Sequence, residues 1–173
     1  MEIENALKGH TICSIFETIL VDAGYHVVPF GLERVIREVR PLHAEDYLSV
    51  MKPCQNLRSM LDLFVLDLEK KKGWLTEIKY REKLFKSIVN EFKKYESTWI
   101  PYHIVLALSK PPDSWAGEVN HIRVFEVNKS TSLDMEFFES NGKRIQDVFT
   151  RLREKWKNQT ILKAQEMILN IAQ

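Results

Sequence analysis

Two apolar runs, each the length of a strand and separated by a short basic turn, limit most strongly what this chain can become. The first is Leu61-Asp62-Leu63-Phe64-Val65-Leu66-Asp67. After Lys70-Lys71-Lys72-Gly73 comes the second, Trp74-Leu75-Thr76-Glu77-Ile78-Lys79. Their spacing and polar turn predict a β-hairpin. Strand side chains alternate between faces, so Leu75, Glu77 and Lys79 share one face while Trp74, Ile78 and Tyr80 share the other. A strand apolar on both faces is covered on both, and charges within it are costly unless paired or bound to a metal. Pairing of the two runs brings Asp62 and Glu77 together at one end of the sheet, with the Lys79 ammonium beside them. Two carboxylates and a lysine at one point can hold a divalent metal and supply an electrostatic partner for chemistry. The competing expectation is that Glu77 and Lys79 form the solvated face of an antiparallel sheet.

The rest of the chain surrounds this hairpin with alternating elements. Residues 4–23 carry Leu7, Ile12, Phe16, Ile19 and Leu20 near helical spacing, with Gly24 as a C-cap. Residues 25–30 form a strand, which Pro29 assigns to a sheet edge or an early bend. In residues 31–60 the pattern is ambiguous: 32–39 fits helix or strand, and 44–51 reads as helix up to Pro53. Residues 81–97 are expected to form an amphipathic helix on Leu84, Phe85, Ile88, Val89 and Phe92. Residues 102–108 are almost wholly apolar, as an interior strand is, and residues 121–127 alternate as a fifth strand. Strand, helix and strand in succession imply a right-handed crossover and a parallel pair. The fold class predicted is α/β, three layers with a central mixed β-sheet and helices on both faces. Residues 132–173 repeat Ile145, Val148, Phe149, Leu152 and Trp156, then Ile161, Ala164, Met167, Ile168 and Ile171, as one or two appended helices with a break near 158–160. The division expected is a core over residues 1–130, with an insertion at about 31–60, and a C-terminal helical extension over 131–173.

This arrangement resembles the PD-(D/E)XK nuclease superfamily, where an aspartate precedes a hairpin strand that carries Glu/Asp-x-Lys. Here Asp62 is followed by fourteen residues and then Glu77-Ile78-Lys79, with Leu61 standing where the family usually has proline. The flanking helices and later strands extend the resemblance over about residues 8–128. It implies a restriction-endonuclease-like core and a nuclease that hydrolyses phosphodiesters in DNA, in repair, recombination or defence against foreign DNA, with RNA as an alternative substrate. It further implies Mg²⁺, with Mn²⁺ able to substitute, held by Asp62, Glu77 and the Ile78 carbonyl, while Lys79 positions the attacking water. In the Holliday-junction-resolvase-like branch a glutamate of the first helix completes the metal site, and Lys8-Gly9…Glu17 resembles that helix. From the residues alone, Glu17 is equally a flanking charge beside the apolar stripe. Related nucleases commonly pair, so a homodimer through the C-terminal helices stands beside simple packing of those helices on the core. The main alternative function is a nuclease-fold module without activity that binds nucleic acid or assists assembly. More remote is a structural ion cluster of Asp62, Glu77 and Lys79.

Charge distribution adds to this reading. The net charge is only +1, but residues 70–94 hold nine basic and three acidic side chains, and residues 143–157 hold six and two. Positive charge in and after the hairpin is where a phosphate backbone would lie. Arg81 and Lys83, beside the strand, and Arg58 are the expected nucleic-acid contacts. Arg34, Arg37, Arg40, Lys86, Lys93 and Lys94 read as solvated. Cys13 and Cys54 are too few for a disulfide framework, and the scattered histidines lack zinc-ligand spacing. The acidic N-terminus and the absence of a long apolar run predict a cytoplasmic protein with no membrane partner. No glycine-rich phosphate loop and no internal repeat is present.

Overall fold

The computed structural model describes residues 2–30, 60–96, 98–116, 120–155 and 159–171. Arg58 and most of the 31–60 insertion, with Arg34, Arg37 and Arg40, lie outside the described residues. Five strands form one mixed sheet in sequential order: β1 (His26–Pro29), β2 (Leu63–Asp67), β3 (Lys72–Arg81), β4 (Tyr102–Leu108) and β5 (Ile122–Val127). β1, β2 and β3 pair antiparallel, β3 and β4 parallel, and β4 and β5 antiparallel. Pro29 closes β1 at the sheet edge, where its missing N–H leaves no ladder bond unmade. Every residue of β4 is buried, as its unbroken apolar run requires for a strand covered on both faces.

Two apolar clusters sandwich the sheet. On one face Ile12, Phe16 and Leu20 of α1 (Glu2–Asp22) pack with Leu63, Val65 and Ile78. On the other, Ile88 and Phe92 of α2 (Ser87–Lys93) pack with Tyr102, Ile104 and Leu106. Neighbouring residues of β3 and β4 thus supply opposite layers, which is the period of two expressed in three dimensions. No helix among the described residues is long and apolar enough to cross a membrane.

Two segments differ from the expectation. The helix anticipated over 81–97 is shorter, because β3 continues to Arg81, paired with Leu108 of β4. The Arg81 carbonyl accepts the Ser109 N–H at 3.2 Å, and the Glu82 carbonyl accepts that of Lys110 at 2.7 Å. This parallel pairing overrides the helical spacing of Leu84 and Phe85, and Phe85 is left exposed. The C-terminal region is divided among α3 (Met135–Ser140), α4 (Ile145–Val148), α5 (Arg151–Lys155) and α6 (Gln159–Ile171) instead of one or two helices. Asp134 caps α3 by accepting the Phe137 N–H at 2.8 Å. Ile145, Phe149, Leu152, Ile161 and Ile168 join the α1 cluster, whereas Phe138 enters the opposite one.

Between α3 and α4 the chain passes so close to β5 that only glycine fits. A Cβ on Gly142 would lie 2.9 Å from both the Arg123 Cβ and the Phe125 Cζ. Phe125 is fully buried. Gly142→Ala should therefore cost about 1–3 kcal/mol of stability, the usual penalty of overpacking. Urea unfolding would measure it, and a change below the error of the fit would show that the ring yields freely.

At the far end of the hairpin, Asp67 closes β2 with no exposed surface. Its carboxylate accepts two hydrogen bonds from Arg151, Nε at 3.1 Å and Nη2 at 2.7 Å, and a third from the Lys70 backbone at 3.0 Å. Chiefly through the Arg151 hydrogen bonds, its pKa falls to about 2. The hairpin turn and α5 are thus locked by one bidentate ion pair, with the Tyr25 hydroxyl accepting the Arg151 N–H at 3.1 Å.

Candidate active site

The site lies where β2 stops and β3 runs on. β2 begins at Leu63, opposite Thr76, while β3 continues beside β4 to Arg81. Continuing the hairpin register by one residue sets Asp62 opposite Glu77. At that point a side chain replaces the strand: Asp62 Oδ2 accepts the Ile78 N–H at 2.7 Å. The Asp62 carbonyl accepts the Phe30 N–H at 2.8 Å, so the residue is held from both sides. Ile78 points its own side chain into the α1 cluster, and Glu77 and Lys79 face the α2 side with Leu75.

Glu77 is 1% exposed. Its Oε1 accepts a hydrogen bond from the Tyr95 hydroxyl at 2.6 Å and lies 2.5 Å from the Lys79 Nζ. Its Oε2 is buried without a hydrogen-bond partner among the described residues. A bare carboxylate oxygen in the interior is expensive unless a donor or a cation meets it. Hard divalent cations take carboxylate oxygens, and Mg²⁺ needs only one or two carboxylates because it keeps several waters. Asp62 and Glu77 fit that requirement, with Oε2 as the oxygen awaiting a partner. Among the described residues no group of three or more His, Cys, Asp or Glu side chains gathers as a metal cage. The donor set they offer here is thus two carboxylates, suited to a hydrated oxygen-seeking cation and not to zinc.

The electrostatics assign each neighbour a protonation state. Burial is the largest influence on Lys79 and draws its pKa down, but the Glu77 and Asp62 carboxylates outweigh it and leave the pKa raised. Lys79 is therefore an ammonium at neutral pH, able to donate hydrogen bonds and not to accept a proton. Burial and then the Glu77 charge push the Tyr95 phenol far above its ordinary range, so it stays a donor. Lys94, at the C-terminal end of α2, is lowered by burial and then by Lys79.

Tyr95 and Lys94 are the site residues that the sequence reading passed over. A signal for Tyr95 was available: it follows Ile88 and Phe92 on a buried stripe, and a buried tyrosine needs a partner for its hydroxyl. Lys94 is exposed, as expected of a surface lysine, yet its Nζ sits 4.7 Å from the Tyr95 ring centroid. Of the residues singled out earlier, Asp62, Glu77, Ile78 and Lys79 come together. Arg81 stands on the same face but is ion-paired with Glu91, and Lys83 is exposed with its Nζ 5.2 Å over the Phe85 ring. Glu17 is half-buried on α1, whose apolar stripe packs on the opposite face of the sheet, and it lines an open depression with Thr18, Val21 and Asp22.

Tyr95→Phe keeps the ring and removes the donor, leaving both Glu77 oxygens without a neutral partner. It should cost about 1–3 kcal/mol, the range for a hydrogen bond to a buried charge. Denaturant unfolding at neutral pH checks this, and an unchanged midpoint would show that water replaces the hydroxyl. In comparisons with protein-family models, curated proteins and solved structures, the chain has no match.

Proposed function

We propose that this chain is a Mg²⁺-dependent nuclease hydrolysing phosphodiester bonds in DNA, on a restriction-endonuclease-like core. The observation that carries the reading is the buried Glu77 Oε2, bare on the strand position opposite Asp62 while an ammonium holds the other oxygen. The resemblance to PD-(D/E)XK nucleases, the parallel crossover between β3 and β4, and the positive charge over residues 70–94 support it.

Asp62 and Glu77 would hold the cation, with the Ile78 carbonyl as a backbone ligand implied by the resemblance. When bound, the cation supplies a lowered water pKa and neutralises charge on the phosphate oxygens. Lys79 donates hydrogen bonds to the attacking water or to the phosphate oxygen on which charge develops, which lowers the barrier electrostatically. Tyr95 fixes Glu77 Oε1, so that Oε2 is presented in one orientation. Arg81, Lys83 and Arg58 are the proposed backbone contacts, of which Arg81 must share its charge with Glu91. In this reading Glu17 is a third carboxylate by resemblance alone.

A second reading, a nuclease-fold module without activity, draws on the same Glu77–Lys79 pair, which neutralises the site internally. One experiment separates them. Duplex, single-stranded and branched DNA, and RNA, are incubated with the protein in Mg²⁺, Mn²⁺ or EDTA, and Mn²⁺ binding is measured by calorimetry. The nuclease reading expects cleavage with metal alone and Mn²⁺ binding lost in Glu77→Gln. Glu17→Gln reduces binding only if Glu17 reaches the cation. Inactivity on every substrate selects the binding module, and cleavage that persists in EDTA removes the metal from the mechanism.

A further inference from the structure

Three cationic side chains stand on the face that carries the carboxylates, and they differ in what they already hold. Lys79 is bound to Glu77 and Arg81 to Glu91, whereas Lys94 has no carboxylate partner among the described residues. Its ammonium is nonetheless placed and not loose: it rests 4.7 Å from the Tyr95 ring centroid, and the hydroxyl of that ring is 2.6 Å from Glu77 Oε1. The aromatic face fixes the ammonium without cancelling its charge. Tyr95 therefore touches both Lys94 and the carboxylate that would hold the cation.

We propose that Lys94 binds the phosphate adjacent to the scissile one, so that the substrate is a polynucleotide gripped at two consecutive phosphates; this rests on the nuclease reading above. Lys79, in contact with Glu77, is close enough to serve the reacting phosphate. Lys94 couples electrostatically to Glu77 and Asp62 but makes no ion pair with either among the described residues, so it stands farther from the carboxylates than Lys79 and suits the next phosphate along the strand. An ammonium is a compact point charge with three donors, which matches a non-bridging phosphate oxygen without demanding a fixed approach.

The test uses the full chain and a fluorescein-labelled DNA duplex that the wild type cuts, with binding followed by anisotropy in EDTA across a NaCl series. Lys94→Ala should weaken binding and reduce the slope of log K against log salt by about 0.9, the loss of one phosphate contact on duplex DNA. Replacing single phosphates by neutral methylphosphonates should reproduce that loss in the wild type at one position next to the cut. At that position the two changes should not add, because they remove the same interaction. Lys94→Arg should restore the slope, which a purely structural role would not predict. A wild-type protein that cuts DNA while Lys94→Ala keeps the full slope overturns this inference and leaves the nuclease reading standing. A wild type that neither binds nor cuts overturns the reading, and the inference falls with it.

Discussion

Lys79→Ala is expected to lower the single-turnover cleavage rate by about 10²–10⁴-fold, the range in which a positioned catalytic group or charge stabiliser acts. The size follows from where the ammonium stands. It is held 2.5 Å from Glu77 Oε1 in a largely buried setting, where a hydrogen-bond donor aimed at developing charge is worth far more than in water. The same substitution should affect cation binding in the opposite direction. Lys79 competes with the metal for the charge of Glu77, so its removal should leave Mn²⁺ affinity equal or tighter. Rapid-quench kinetics and calorimetry on one preparation read both effects. A fall in rate that merely tracked a loss of metal binding would demote Lys79 to a structural partner of Glu77. An unchanged rate would remove it from the chemistry altogether.

Asp67→Asn should lower stability by about 3–5 kcal/mol, because it leaves the largely buried Arg151 guanidinium without its main counter-charge. Glu69 also lies 2.9 Å from Arg151, but it is exposed and contributes little in compensation. For a chain of this size the loss corresponds to a fall in Tm of roughly 6–20 °C. The pH dependence carries a definite sign. The Asp67 pKa is depressed from 3.8 to about 2 by folding, so its contribution is present above 3.8 and is lost as pH falls towards 2. The gap between wild type and Asp67→Asn should hold steady from neutrality to about pH 4 and narrow below it. Guanidinium titrations at several pH values would show this, and a gap independent of acid would mean that folding leaves the Asp67 pKa where it is in the unfolded chain.

The contrast between these two sites explains what could be read from the sequence. Asp62, Glu77 and Lys79 were legible because a hairpin is local: alternation assigns faces, and a short turn fixes which ends meet. The internal strand 102–108 was legible because a run apolar on both faces admits few other fates. The Asp67–Arg151 pair joins residues 84 apart, and no periodicity connects them. The Arg81 and Glu82 backbone was misread for a related reason. Its helical spacing is a local property, whereas the strand it joins is set by pairing with β4, beyond the reach of any window around residue 81. Tyr95 falls between these cases. Its place on the apolar stripe with Ile88 and Phe92 was visible, but its partner was not, since Glu77 lies on another element.

The Asp67–Arg151 lock also bears on how the chain is made. Synthesis proceeds from the N-terminus, so Asp67 is added 84 residues before Arg151. At about 5–20 residues per second the interval is roughly 4–17 s. Throughout it, Asp67 must either stay hydrated, which holds the turn open, or enter the interior uncompensated. Closure of this end of the sheet therefore waits for residue 151, and a message cut short before Arg151 would yield a nascent product whose hairpin lacks the partner that seals it.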